Sequence, residues 1–163
     1  MTLKRAFDPV VDANTRLLIL GSLPGDASLR AAQYYAHPQN AFWRLVGGVI
    51  DRDLVALPYP ERLETLKSAG VGLWDVIARA TRPGSLDGAI RDAEAADLNR
   101  LVIGLPALKA VAFNGGTASR IGRRTLNPPA DVLLIDLPSS SPAYTRSLAS
   151  KTEAWSALKP FVA

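Results

Sequence analysis

Short apolar runs alternate with longer amphipathic stretches along this chain. Four runs consist mostly of valine, leucine, isoleucine and alanine, and they lie at residues 16–20, 71–76, 109–113 and 131–137. Apolar runs of this length are typical of strands that are buried on both faces of a sheet. The first run ends at Gly21 and is followed by a Pro24-Gly25 turn signal. The pattern therefore predicts a sheet of about four buried strands.

The stretches between these runs carry the spacing of amphipathic helices. Within residues 40–50 the apolar positions form one helical stripe, which consists of Phe42, Leu45, Val46, Val49 and Ile50. Further helices are predicted at residues 61–68, 93–105, 117–124 and 147–162. Strands separated by helices favour a parallel sheet with helices on both faces. We therefore expect a single domain over residues 1–163, with a three-layer α/β/α fold around a central, mostly parallel sheet.

The composition narrows the chemistry that such a domain can perform. The 163 residues are 48% hydrophobic and 21% charged, as in an ordinary globular domain. There is no cysteine in the sequence, which excludes disulfides, thiolate nucleophiles, iron-sulfur clusters and cysteine-ligated zinc. The single histidine, His37, disfavours multi-histidine metal sites. We expect neither a metal nor another cofactor.

Charge and hydropathy predict where the protein works and what it binds. No apolar run reaches the roughly 18 residues of a membrane span, and the charged N-terminus lacks the apolar region of a secretory signal. We therefore expect a cytoplasmic protein with no membrane partner. The formal net charge is +4, and the excess positive charge lies after residue 98, most densely at Arg120, Arg123 and Arg124. Such a face either attracts a polyanion or is a solvated helix surface.

The loop after the first strand, residues 21–28, combines glycines with hydroxyl groups. Gly21 and Gly25 permit close approach of the backbone to a ligand, and Ser22 offers a hydroxyl group. The glycine spacing matches neither a dinucleotide fingerprint nor a Walker loop. The loop is therefore either a site for a phosphate or a base, or a tight turn before a helix.

Residues 33–43 have an unusual composition for a connector. Tyr35 and Phe42 offer rings on which a nucleobase can stack, and such stacking contributes about 1 to 3 kcal/mol per base. The Asn40 amide both donates and accepts hydrogen bonds, toward a base edge or a water molecule. We expect Trp43 to belong to the core. His37 precedes a proline, so it is either a donor to the base or a phosphate, or a hydrogen-bonded corner.

Two further polar loops follow the last two predicted strands. Asn114 precedes Gly115 and Gly116, so it is either a turn residue in a left-handed conformation or an amide aimed into a pocket. Residues 138–144 place three serines between two prolines. This segment either offers hydroxyl and amide groups to a phosphodiester backbone, or it is a stiff surface loop.

Taken in order, these motifs resemble those of a known family. Residues 21–25 (GSLPG), 37–43 (HPQNAFW), Asn114 and residues 138–142 (PSSSP) are similar to the ordered motifs of the uracil-DNA glycosylase superfamily. The combination of YYAHP with NAFW most resembles the hypoxanthine-DNA glycosylase branch, also called family 6. The resemblance spans nearly the whole chain. It implies the uracil-DNA glycosylase-like α/β/α fold and removal of a deaminated base from DNA, with hypoxanthine first and uracil second.

The resemblance also implies roles for individual residues. Leu23 stands where mismatch-specific relatives carry an asparagine, and an apolar side chain cannot position an attacking water. Asn40 is then expected to take the essential amide role and Asn114 to help hold the base. The base-binding residues implied are Ser22, Leu23, His37 and Phe42, with Tyr35 as the alternative stacking ring. The DNA-binding residues expected are Ser139, Ser140, Ser141, Pro142, Tyr144, Arg123, Arg124 and Arg146.

Three functions compete at this point. The first function is that of a monofunctional glycosylase that leaves an abasic site. Its reaction is expected to be hydrolytic, because no lysine lies within the motifs. We expect this enzyme to act as a monomer. The second is a catalytically silent binder of damaged or single-stranded DNA, for which Leu23 is the best argument. The third is an enzyme that acts on free nucleosides or nucleotides.

Overall fold

Seven strands and six α-helices make up residues 3–163, which the computed structural model describes. The strands are β1 (Leu3–Arg5), β2 (Leu17–Gly21), β3 (Val71–Asp75), β4 (Ile77–Thr81), β5 (Arg91–Ala95), β6 (Ala110–Asn114) and β7 (Leu133–Leu137). The helices are α1 (Asp26–Ala31), α2 (Phe42–Ile50), α3 (Tyr59–Ser68), α4 (Leu98–Ile103), α5 (Gly116–Thr125) and α6 (Leu148–Trp155). Short 3₁₀ helices lie at Asp87–Ala89 and Ser156–Phe161. Within this part of the chain no helix combines the length and the apolar character needed to cross a membrane.

Four of the strands form a parallel sheet in the order β3-β2-β6-β7. Leu17 lies opposite Val71 on one side and Ala110 on the other, so the carboxyl ends of these three strands meet at one edge. Every residue of β2 and β6 is buried, because both faces of the sheet are covered. The predicted four-stranded sheet and the three-layer α/β/α fold class are therefore confirmed.

Alternate side chains of β2 enter two separate hydrophobic cores. Leu17 and Ile19 pack in the core that contains the aromatic residues of α2 and α6. Leu18 and Leu20 pack in the core that is formed with α4, α5 and β4. Trp43 belongs to the first core, as predicted. The burial of these apolar faces against the sheet is the main source of stability for the layered arrangement.

A second sheet, antiparallel and in the order β1-β4-β5, is not among the predicted elements. The prediction of a helix at residues 93–105 is wrong in its first part, because residues Arg91–Ala95 form β5 and α4 begins only at Leu98. Asp97 caps α4 by accepting a hydrogen bond from the Arg100 backbone amide at 3.2 Å. All five residues of β5 are exposed, so pairing with β4 and not burial makes this segment a strand.

The C-terminal part of the chain differs from the prediction in two details. The strand predicted to be buried on both faces at residues 131–137 is β7, an edge strand that pairs only with β6 and exposes Leu133. The helix predicted at residues 147–162 is α6 followed by a 3₁₀ helix that contains Pro160, whose ring disfavours a continuous α-helix.

Candidate active site

A cleft of about 850 Å³ opens at the carboxyl edge of the parallel sheet. Ligands bind at this edge in open α/β sheets, because the loops that follow the strands meet there. The strand ends Gly21, Asp75 and Asn114 all line the cleft. The other lining residues come from four segments, within residues 22–28, 34–40, 85–91 and 139–144. Its volume falls within the range of small-molecule sites.

Gly21 ends β2 at a point where no side chain fits. A Cβ atom on this residue would lie 2.6 Å from Asp75 Oδ1 and 2.9 Å from the Tyr35 hydroxyl oxygen. Contacts this short would force the Asp75 and Tyr35 side chains to move, so the glycine is what allows these two residues to pack closely here. Ser22 and Leu23 follow in the cleft wall, and the Ser22 hydroxyl donates a hydrogen bond to Asp87 Oδ1 at 2.6 Å.

Of the two candidate stacking rings, Tyr35 lines the cleft and Phe42 does not. The rings of Tyr35 and Phe42 are stacked, with centroids 3.9 Å apart and an interplanar angle of 12°. Tyr35 lines the cleft, whereas Phe42 is fully buried one layer below it. The prediction of Phe42 as the base-binding ring is therefore wrong, because the first residue of α2 packs against Trp43 and Trp155 in the core. The alternative ring, Tyr35, has the accessible position.

The Asn40 side chain lines the cleft in a fixed orientation. Its Oδ1 accepts a hydrogen bond at 3.0 Å from the backbone amide of Phe42, the first residue of α2. The Asn40 backbone amide donates to the His37 carbonyl oxygen at 3.0 Å. His37 also lines the cleft, where its Nδ1 accepts a hydrogen bond from the Gln39 backbone amide at 3.1 Å. His37 thus stabilises the turn at residues 37–40 through its Nδ1 and its carbonyl oxygen, and its Nε2 takes no part in these hydrogen bonds.

Asn114 joins the sheet to the serine-rich loop. Its Nδ2 donates to Ser140 Oγ at 2.9 Å, and its Oδ1 accepts from the Ser140 backbone amide at 2.9 Å. Both residues are buried. Asn114 is therefore an amide directed into the cleft wall and not a left-handed turn residue. Both its Nδ2 and its Oδ1 use a hydrogen bond to hold Ser140.

The serine loop, residues 139–144, is held together by its own hydroxyl groups. Ser139 Oγ accepts from the Ser141 backbone amide at 3.1 Å, and Ser141 Oγ accepts from the Ala143 backbone amide at 3.2 Å. All six residues of the loop, including Pro142 and Tyr144, line the cleft, and the Tyr144 ring is exposed. The predicted serine segment is therefore a wall of the cleft.

Lys151, on α6, supports the serine loop from behind. Its side chain is buried, and its Nζ donates to the Ser141 carbonyl oxygen at 3.1 Å and lies 5.5 Å from the centre of the Tyr144 ring. Burial lowers the pKa of this amine, and the nearby charge of Arg146 lowers it further. Lys151 lies at an ordinary position in a helix, so no motif in the sequence predicts this contact.

The arginines expected to bind DNA do not line the cleft. Arg123 pairs with Asp136 at 3.2 Å and lies over the Phe113 ring, and Arg146 donates to Ser150 Oγ. Arg124 is exposed in the last turn of α5. Within residues 3–163, the arginine that lines the cleft is Arg91, at the start of β5, which the sequence analysis does not identify.

Asp75 is a second residue of the cleft that the sequence analysis does not identify. It ends β3, is almost fully buried, and its Oδ2 has no hydrogen-bond partner within the described residues. The pKa of this carboxyl group is raised to about 7: burial is the largest cause, the charge of Asp87 also raises the pKa, and the charge of Arg82 opposes the rise. An acidic residue directly after the apolar residues 71–74 is the signal in the sequence that marks this position.

One side of the cleft is formed by the lip loop, residues 83–90, which connects β4 and β5. Arg82 is fully buried beneath it and donates to the carbonyl oxygens of Pro24 and Gly84. Lys4, also buried, donates to Gly84 and pairs with Asp26. The lip loop is thus attached to the loop after β2 through two buried cations.

Comparison with known proteins agrees with this geometry. The family model of the uracil DNA glycosylase superfamily matches residues 9–159. A hypoxanthine DNA glycosylase of Methanosarcina barkeri is 45% identical over 154 residues, which are 93% of this chain and 95% of the relative. A hypoxanthine DNA glycosylase of Methanosarcina acetivorans is 41% identical over 96% of this chain and 98% of the relative.

A solved structure has the same fold over almost the whole chain. It is a solution NMR structure from Methanosarcina acetivorans, described as a candidate uracil DNA glycosylase. The TM-score is 0.85 at 41% sequence identity, and the match covers 97% of each chain. Sequence and fold therefore point to the same family.

Proposed function

Since this chain belongs to the uracil DNA glycosylase superfamily, we propose that it removes a deaminated base from DNA by hydrolysing the N-glycosidic bond. Its relatives of 45% and 41% identity are named hypoxanthine DNA glycosylases. Hypoxanthine is accordingly the first substrate proposed and uracil the second. The product is an abasic site.

The observation that carries this proposal is the pairing of a stacking ring with a fixed amide in one cleft. Tyr35 is stacked on the ring of Phe42, which is fully buried and supports it from the core side. Asn40 lines the same cleft, with its amide oriented by the Phe42 backbone. An enzyme that acts on a flipped base needs a surface that holds the base and a polar group directed at the sugar.

An amide is sufficient for this reaction because the sugar supplies most of the driving force. Cleavage of an N-glycosidic bond builds positive charge on the sugar, as in glycoside hydrolysis, while negative charge builds on the departing base. Asn40 has no useful basicity, but it can orient a water molecule toward the cationic sugar. Donors around the base then stabilise the leaving group. Leu23 contributes only its backbone and its apolar surface to the cleft.

We propose that the reaction is purely hydrolytic. A bifunctional glycosylase needs an amine that attacks the sugar, and within residues 3–163 no lysine lines the cleft. Borohydride should therefore trap no covalent adduct with DNA. A trapped adduct would contradict this part of the proposal, and Lys151 would then be the first residue to replace.

The proposed enzyme acts as a monomer in the cytoplasm. A chain without cysteine is compatible with a reducing compartment.

The test compares the purified protein with its Asn40→Ala variant on DNA oligonucleotides that carry a single inosine, uracil or xanthine. Alkali then cleaves the abasic sites, and the strand breaks are counted. We expect Asn40→Ala to abolish base release and to leave DNA affinity largely unchanged. Asn14→Ala, at an exposed turn, is the matched control and should behave as the wild type.

Three results would overturn the proposal or one of its parts. Wild-type turnover by Asn40→Ala would remove Asn40 from the mechanism. If the wild type releases none of the three bases, that result would favour the alternative of a catalytically silent binder of damaged or single-stranded DNA. Activity on free nucleosides that DNA does not inhibit would point to a small-molecule enzyme.

A further inference from the structure

The cleft contains two buried polar groups that have no partner within the described residues. These are Oδ2 of Asp75 and the hydroxyl group of Tyr35, which the Asn114 side chain approaches closely enough to lower the pKa of the phenol but without the geometry of a hydrogen bond. Buried polar groups in native proteins are nearly always hydrogen-bonded, because an unpaired one loses its water without compensation. Both groups belong to residues that line the cleft, so a bound molecule can supply the missing partner.

The strand register explains how the two groups reach the cleft together. Asp75 lies opposite Gly21 in the parallel pair of β3 and β2. Gly21 has no side chain, and the space of its missing Cβ is bordered by Asp75 Oδ1 at 2.6 Å and by the Tyr35 hydroxyl oxygen at 2.9 Å. A carboxyl group and the edge of the stacking ring are therefore adjacent in the cleft.

We propose that Asp75 contacts the flipped base directly, as a neutral carboxylic acid that pairs with the adjacent C=O and N–H groups of its ring. The carboxyl O–H donates to the base carbonyl oxygen, and the other carboxyl oxygen accepts from the ring N–H. Hypoxanthine, xanthine and uracil all present this pair of groups. The proposal rests on the function proposed above, and it names the chemical edge that this side chain binds.

The surroundings of Asp75 favour the neutral form near neutral pH. Burial is the main cause of its raised pKa of about 7; the charge of Asp87 also raises this pKa and that of Arg82 lowers it. The charge of Asp75 in turn raises the pKa of the neighbouring Tyr34 and Tyr35 hydroxyl groups. The nearby Asn114 carries no charge. Above pH 7 the group becomes a carboxylate, which has no proton to donate and repels the carbonyl oxygen of the base. The interaction with the base therefore weakens as pH rises.

Asp75→Asn is the variant that separates this role from a purely structural one. An amide of nearly the same shape also offers one donor and one acceptor, but it does not titrate. We expect the single-turnover rate of inosine excision by the wild type to fall about tenfold per pH unit above pH 7, as one proton is lost. The Asp75→Asn rate should stay level over the same range, apart from any titration of the substrate itself, which affects all variants equally.

Two further variants complete the experiment. Asp75→Ala removes the contact, so its excision rate should fall at least about tenfold at pH 6. Asp51→Asn, at an exposed position after α2, is the matched control and should keep the wild-type pH profile. Thermal unfolding at pH 6 verifies that each variant is folded.

The outcomes distinguish this inference from the proposed function. If the wild type releases no base at any pH, the proposed function fails. If the wild type is active but Asp75→Asn has the same pH profile, the inference about Asp75 fails while the proposed function stands. An excision rate that rises with pH and is lost in Asp75→Asn would also overturn it, because Asp75 would then act as a base.

Discussion

The cleft has two sides that are held in place by different forces. On one side, Gly21, Asp75 and Asn114 end strands of the parallel sheet, and Tyr35 rests on the buried ring of Phe42. On the other side, the lip loop is largely exposed and is attached through buried cations beneath it. Apolar burial fixes the first side, and hydrogen bonds to a few carbonyl oxygens fix the second. The proposed catalytic and stacking groups lie on the side that burial holds.

The largest expected effect comes from comparing one apolar residue from each side. Phe42→Ala removes a fully buried ring beneath Tyr35 and should lower the free energy of unfolding by about 3–5 kcal/mol. Leu86→Ala changes an exposed side chain of the lip loop and should alter stability by no more than about 0.5 kcal/mol. Urea unfolding measures both values. Equal losses for the two variants would show that the two sides are not held differently.

Much of the sheet side could be predicted from the sequence, and the lip side could not. Buried parallel strands leave continuous apolar runs, and the polar loops that follow them meet at one edge. This logic places Ser22, Asn114 and residues 139–144 at one edge, and the family resemblance adds Asn40; all of them line the cleft. The lip loop connects β4 to β5, whose sequence Arg-Asp-Ala-Glu-Ala has no apolar pattern, so nothing local predicts a strand there.

The wrong choice between two aromatic rings has a different cause. Phe42 and Tyr35 lie close together in sequence, and the composition of the segment allows either ring to face a ligand. Only the packing decides, because Phe42 starts α2 and its ring makes edge contacts with Trp43 and Trp155. The same holds for Asp75: an acid at the end of an apolar run is visible in the sequence, but only the strand register that places Gly21 opposite it gives the residue its significance.

A smaller effect is expected from adding one methyl group at a glycine on each side. The Cβ of Gly21→Ala meets Asp75 Oδ1 at 2.6 Å and Tyr35, so we expect a loss of roughly 1–3 kcal/mol in stability and slower excision. The Cβ of Gly25→Ala meets Ser85 Oγ at 3.2 Å, and this exposed side chain of the lip loop can move. Gly25→Ala should therefore lower both the stability and the excision rate less than Gly21→Ala does. Thermal unfolding and single-turnover rates measure the difference.

Gly48→Ala provides the control for these two variants. Nothing lies within 4 Å of the added atom, and the residue is exposed within α2. Alanine is the better helix former by up to about 1 kcal/mol, so this variant should be slightly more stable than the wild type. A loss of stability at Gly48 comparable to that at Gly21 would mean that the close contacts in the cleft are not the cause.

The smallest expected effect links the two sides through charge. The pKa of Asp75 is about 7 in the folded protein, compared with an ordinary value of 3.8. Between about pH 4 and about pH 7 the folded protein therefore keeps a proton on Asp75 that the unfolded protein has lost. Stability therefore falls as pH rises from about 4 to about 7. Asp87, on the lip loop, raises the pKa of Asp75, so Asp87→Asn should lower that pKa and make stability fall less between about pH 4 and about pH 7. Because Asp87 is partly exposed to solvent, the difference should be less than about 1 kcal/mol.

Ser22→Ala distinguishes this charge effect from the loss of a hydrogen bond. It breaks the bond from Ser22 Oγ to Asp87 Oδ1 but keeps the charge of Asp87, so the pH dependence of thermal unfolding should match that of the wild type. If Ser22→Ala and Asp87→Asn change that dependence equally, then Asp87 acts on Asp75 by holding the loop after β2 in position. Electrostatic coupling across the cleft would then be excluded, and the lip loop would influence the sheet side only through contact.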